Sequence, residues 1–163
     1  MKSNISLILL VCLFSCNSSS TVISNQEGGI MPSFNLLLMD SSSRLNTNSI
    51  PIGQPTIFLF FDPACPFCQA LTKEITNNIK SFSNTQFYFL SPYPFKQIKS
   101  YYTYYKIDKY PNITFGRDYD YFFANYYKAN RVPYIAIYGK NKRLKKIIIG
   151  TTSTDVIKKI ALE

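Results

Sequence analysis

Six consecutive apolar or β-branched residues, Thr56-Ile57-Phe58-Leu59-Phe60-Phe61, constrain this chain more than any other feature. A run without alternation has no polar face to offer solvent, so it reads as a central strand covered on both sides. Asp62-Pro63-Ala64 ends it, and Cys65-Pro66-Phe67-Cys68 follows at once. Proline at the first helical position gives up no hydrogen bond it could have made, so a helix is expected to start at Cys65 or Pro66. Phe67, Leu71, Ile75, Ile79 and Phe82 then recur at steps of three or four and predict one buried stripe.

The rest of the chain supplies partners for that unit. Phe34, Leu36 and Leu38 suggest an early strand, with a loop through Asn46–Ser49, and Gln86–Leu90 reads as the next strand. Helices are expected over Phe95–Tyr105 and Tyr119–Ala129, with a short strand at Ile113–Phe115. Val132–Tyr138 reads as a strand, turned by Gly139-Lys140-Asn141 into an antiparallel partner at Leu144–Ile149. Thr154 is expected to cap a last helix that buries Val156, Ile157, Ile160 and Ala161. The order implies an α/β chain with a mixed sheet flanked by helices on both sides.

The first residues read as an address. Lys2 precedes the apolar run Ile5–Phe14, which is shorter than the roughly 20 residues a bilayer span needs. It ends in Leu13-Phe14-Ser15-Cys16, which resembles the lipobox of bacterial lipoproteins, although Phe14 stands where a smaller residue is usual. The resemblance implies a signal peptide over 1–15, lipidation of Cys16 and membrane attachment. An ordinary signal peptide or an uncleaved anchor are the alternatives. Residues 16–31, rich in Ser, Asn and Gly, read as a flexible tether, and 32–163 as the single domain. Each alternative places that domain outside the cytoplasm, on the periplasmic side of a bacterial envelope, where disulfide chemistry is routine.

Composition removes several chemistries. The chain of 163 residues has no histidine, which excludes Ser-His-Asp and Cys-His catalysis and most zinc or copper sites. Of four cysteines, Cys12 and Cys16 lie in the leader, so the body offers only Cys65 and Cys68, too few for a cysteine zinc site. No metal or cofactor is expected. The net charge of +9 fits a lysine-rich solvated surface drawn to anionic lipid or acidic partners. With no zinc-finger spacing and no RNA-binding signature, nucleic acid is not an expected partner. Ten of the thirteen tyrosines fall between Tyr93 and Tyr127, either as an aromatic face for a partner or as ordinary half-buried helix packing.

A Cys-x-x-Cys at the start of a helix, directly after a buried strand, carries chemistry of its own. A helix N-terminus offers unpaired N–H groups and partial positive charge, both favouring thiolate over thiol. Cys65, at the very start, is the expected nucleophile. Cys68, one turn on, is the expected resolving thiol, and together they would cycle between dithiol and disulfide. Pro66 and Phe67 would set the geometry and tune the potential. A purely structural bridge, or half of an intermolecular metal site, is the alternative, but closing so short a loop constrains the unfolded chain little.

Phe60-Phe61-Asp62-Pro63-Ala64-Cys65-Pro66-Phe67-Cys68-Gln69, with Val132-Pro133-Tyr134 later, resembles the thioredoxin superfamily over about residues 32–162. Within it the chain is similar to TlpA/ResA-like, redoxin-type proteins and to thioredoxin-like lipoproteins of Bacteroidetes. The resemblance implies a thioredoxin-like fold with an N-terminal β-hairpin extension near Phe34–Met39. It also implies that Pro133 is a cis-proline facing the dithiol, that Val132, Pro66 and Phe67 contact substrate, and that Gly150 follows the last strand. Two departures stand out: Ala64 replaces the usual Trp, and Leu59 stands where many thioredoxins carry a buried acid, six residues before Cys65. Phe58 and Asp62 replace the Pro and Thr of peroxiredoxins, which disfavours peroxidase activity. The function expected is thiol–disulfide exchange with exported proteins, with electrons from a membrane partner. The alternative is a thioredoxin-fold binding or scaffold lipoprotein that uses the tyrosine-rich face.

Overall fold

The computed structural model describes residues 21–23 and 26–163. Its strands are β1 (Thr21–Ile23), β2 (Asn35–Leu38), β3 (Arg44–Asn46), β4 (Thr56–Phe60), β5 (Gln86–Ser91), β6 (Ile113–Arg117), β7 (Tyr134–Tyr138) and β8 (Leu144–Ile149). The helices are α1 (Pro66–Asn77), α2 (Phe95–Tyr104), α3 (Phe122–Tyr127) and α4 (Thr154–Leu162). All the strands join one sheet in the order β1-β8-β7-β4-β5-β6-β2-β3. β4 lies in its interior, parallel to β5 and antiparallel to β7, and the β2–β3 hairpin extends one edge.

The apolar run explains this placement. Successive strand side chains point to opposite faces, so Ile57, Leu59 and Phe61 enter one core while Phe58 and Phe60 enter the other. The first core is closed by Cys68, Leu71 and Ile75 of α1, Ile98 and Tyr101 of α2, and Ile157 and Ala161 of α4. The second is closed by Phe123 and Tyr127 of α3 with Met31, Phe34, Leu36 and Ile50. Both faces of β4 are therefore dry, as a strand with no polar side requires. Close approach of the hairpin depends on Gly116, where an added Cβ would lie 2.8 Å from the Leu36 Cβ.

Several expectations change in phase or extent. The buried face of α1 is Cys68, Leu71, Thr72, Ile75 and Thr76, and Phe67 is 59% exposed. Steps of four residues drift by about 40° each on a helix of 3.6 residues per turn, which leaves Phe67 roughly 100° from the centre of that face. Ile79 and Phe82 lie beyond α1, in a 3-10 turn. The helix expected over Tyr119–Ala129 shrinks to α3 because the buried Asp118 carboxylate accepts the Phe122 and Phe123 N–H groups, at 2.9 and 2.8 Å. Left-handed Tyr121 and Lys128 bound it on either side.

The cap of α4 is Ser153, whose hydroxyl accepts from Val156 N, rather than Thr154. Thr154 instead donates its N–H and hydroxyl to Glu74 Oε1, at 2.7 and 2.9 Å, tying α4 to α1. Val156 is exposed, while Ile157 and Ala161 are buried.

The folded body also begins before residue 32. β1 pairs antiparallel with β8, Gly28 N donates to Leu144 O at 2.7 Å, and Glu27 pairs with Lys146 at 2.7 Å. Met31 is buried. The later part of the segment read as tether is therefore docked, because the side of β8 away from β7 has backbone groups to pair. Residues 1–20, with the signal peptide and Cys16, lie outside the described residues. No helix among the described residues is long and apolar enough to cross a membrane.

Candidate active site

Because β7 runs antiparallel to β4 and pairs Tyr134 with Phe60, the start of β7 lies at the end of β4. Two loops distant in sequence thus meet. One carries Asp62–Cys65 and the other Asn130–Pro133. The Cys65 thiol points at the Val132 carbonyl oxygen, 4.0 Å away. The Val132–Pro133 peptide is cis, and β7 proper starts only at Tyr134. The Pro133 carbonyl accepts from Gly150 N at 2.8 Å, and Gly150 has φ +88°, a conformation that favours glycine.

Cys65 is the N-cap of α1 with no side-chain capping bond, so the first-turn N–H groups stay open toward the sulfur. It is half-buried, whereas Cys68 is fully buried, and both are free thiols. Burial pushes the Cys68 thiol far above the usual thiol range, against a hydrogen bond from the Asp62 backbone N–H, and a hydrogen bond with the Cys65 side chain adds to the rise. The pair is therefore an accessible thiol in front and a protonated one behind. Carboxymethylation of the reduced protein between pH 7 and pH 9 is expected to modify Cys65 at least about tenfold faster than Cys68. Peptide mass mapping checks this, and equal labelling would contradict it.

Pro66 and Phe67 lie on the surface next to Cys65, and Val132 is brought against it. The tyrosines divide between the two roles weighed above. Tyr101 donates to the Cys68 carbonyl at 3.1 Å and shares a 2.7 Å bond with Thr72, and Tyr105 donates to the Gln69 carbonyl at 3.3 Å. Both brace α1 behind the dithiol. Tyr104 is 78% exposed and borders an open cavity of about 730 Å³ with Pro63, Ala64, Gln69 and Lys96.

Two residues that sequence reading did not single out stand beside the cysteines. Asp62 Oδ1 accepts from Ala64 N at 2.7 Å, and Oδ2 accepts from the Tyr93 hydroxyl at 2.6 Å. They face a cleft of about 410 Å³ that also contacts Pro92, Arg131 and Val132. An Asp-Pro pair after a strand signals an Asx turn, which could have marked Asp62. Nothing local marks Tyr93, which arrives from the end of β5.

This sheet order, with a helix-capping Cys-x-x-Cys beside a cis-proline loop, is the thioredoxin-like fold. A secreted Mycobacterium tuberculosis disulfide oxidoreductase homologous to Escherichia coli DsbE superposes with TM-score 0.65 at 18% identity, covering 80% of this chain and 96% of that one. The thioredoxin domain of a thiol-disulfide oxidoreductase from Bacteroides vulgatus gives 0.66 at 15% identity, with 83% and 95% covered. StoA from Bacillus subtilis gives 0.60 at 14%, with 79% and 96% covered. No protein-family model matches the chain, and no curated protein sequence does.

Proposed function

We propose that the chain is a thiol–disulfide oxidoreductase that exchanges disulfides with exported proteins through Cys65 and Cys68. One observation carries the reading: an accessible thiol caps α1 against the Val132 carbonyl, with a second, buried free thiol beside it on the same helix. A thiol so placed can attack a substrate disulfide lying along Val132, and its neighbour can displace the product. Solved structures of similar fold bear the names disulfide oxidoreductase and thiol-disulfide oxidoreductase. Val132, Pro66 and Phe67 are proposed substrate contacts, and Pro133 the residue that shapes the loop.

The leader supports an extracytoplasmic lipoprotein held to a bacterial membrane through Cys16, with protein thiols and disulfides as partners and a membrane protein as electron donor. Secretion of the Mycobacterium tuberculosis protein agrees with that location. The full chain is expected to accelerate reduction of insulin by dithiothreitol, followed as turbidity of the released chain. No acceleration over dithiothreitol alone would leave a binding role for the tyrosine face in its place.

A further inference from the structure

The exchange proposed above leaves one proton without a destination. Cys68 is buried and held as a thiol, yet it must lose its proton to attack a mixed disulfide on Cys65. Leu59, fully buried six residues before Cys65, offers no acid there. Without histidine, the nine carboxylates are the ordinary proton acceptors of the chain. Glu27 is paired with Lys146 and Glu74 with Thr154, Asp118 holds the start of α3, and Asp40 accepts from Ser42 and Ser43 within its own turn. Asp62 is the carboxylate at the dithiol.

Its placement is built from both sides. Its carbonyl accepts the Cys65 N–H at 3.1 Å, its own N–H is directed at the Cys68 sulfur, and its two oxygens are held by Ala64 N and the Tyr93 hydroxyl. The groups that face it are Cys65 and Cys68 from α1, Tyr93 after β5, Arg131 across the cleft before β7, and Tyr121 before α3, which acts on Tyr93. The cleft connects the carboxylate to solvent. We propose that Asp62, positioned by Tyr93, accepts the Cys68 proton when the mixed disulfide is resolved.

The step balances within the exchange itself. The Cys68 S–H bond breaks, its proton passes to an Asp62 oxygen directly or through one water, and its electron pair attacks the Cys65 sulfur. The Cys65–substrate S–S bond breaks as the Cys65–Cys68 bond forms. The substrate sulfur leaves as a thiolate and is protonated by Asp62 or by water. The dithiol is oxidised and the substrate disulfide reduced.

Asp62→Asn tests this, because the amide keeps the hydrogen-bonding shape but cannot take the proton. The reduced full chain is mixed with a chromogenic nitrothiobenzoate disulfide in a stopped-flow instrument. With Cys12 and Cys16 replaced by Ser so that no other thiol reacts, attack by Cys65 releases one coloured thiolate, and resolution by Cys68 releases a second. Asp62→Asn is expected to leave the first phase within about twofold of wild type and to slow the second by about tenfold to a hundredfold. A second phase as fast as wild type, or equal slowing of both phases, would overturn the role of Asp62. Release of only one coloured thiolate per wild-type chain would instead remove the redox reading on which this step rests.

Discussion

Replacing Cys65 by Ser is expected to lower insulin reduction by on the order of a thousandfold or more, because of the two thiols among the described residues it removes the one that a macromolecular disulfide can reach. Cys68→Ser should also abolish turnover, but with a different product. Cys65 remains half-exposed at the α1 N-terminus and still attacks, and nothing behind it can displace the substrate. Partner proteins should then stay joined to the variant as mixed disulfides that run at higher mass on a non-reducing gel and are freed by dithiothreitol. If Cys65→Ser captured partners and Cys68→Ser did not, the roles of the two thiols would be reversed. Insulin reduction by both variants at the wild-type rate would remove the dithiol from the mechanism.

Phe123→Ala is expected to destabilise the fold by about 3–5 kcal/mol, the range for removing a large aromatic from a packed core. Phe123 is fully buried, and its ring lies 5.2 Å from Phe60, 4.5 Å from Tyr127 and 5.7 Å from Tyr134, centroid to centroid. A helix as short as α3 cannot hold itself together in water, so this ring and the Asp118 cap fix it to the sheet. The loss should also reach the site, since Asn130–Pro133 leaves α3 directly to form the wall opposite Cys65. Urea unfolding followed by near-ultraviolet tyrosine dichroism measures the change. A cost below about 1 kcal/mol would mean that α3 is held by something else.

Most of the fold was legible because its signals are local. The continuous run in β4 called for two covering layers, and Val132–Tyr138 with Leu144–Ile149 called for a hairpin; both are present. Errors arose where neighbours in space decided the matter. Phe67 matched the spacing of a buried stripe but lay on its margin, and only the direction of the sheet could fix the phase. Thr154 looked like a cap until Glu74, from another helix, claimed both of its donors. Residues 26–31 looked like a spacer because their composition is polar, yet the backbone at Lys142–Leu144 captures them.

The dithiol follows the same division. That two cysteines one turn apart would begin a helix at the end of a buried strand was written locally in the chain, since proline placement and hydrophobic pattern act within a few residues. Which thiol is exposed and which is buried was decided by the sheet packed behind α1. So was the arrival of Val132 from the antiparallel neighbour and of Tyr93 from the parallel one. Those contacts join segments tens of residues apart. Chain order carries no information about them until β-pairing brings β5 and β7 to either side of β4.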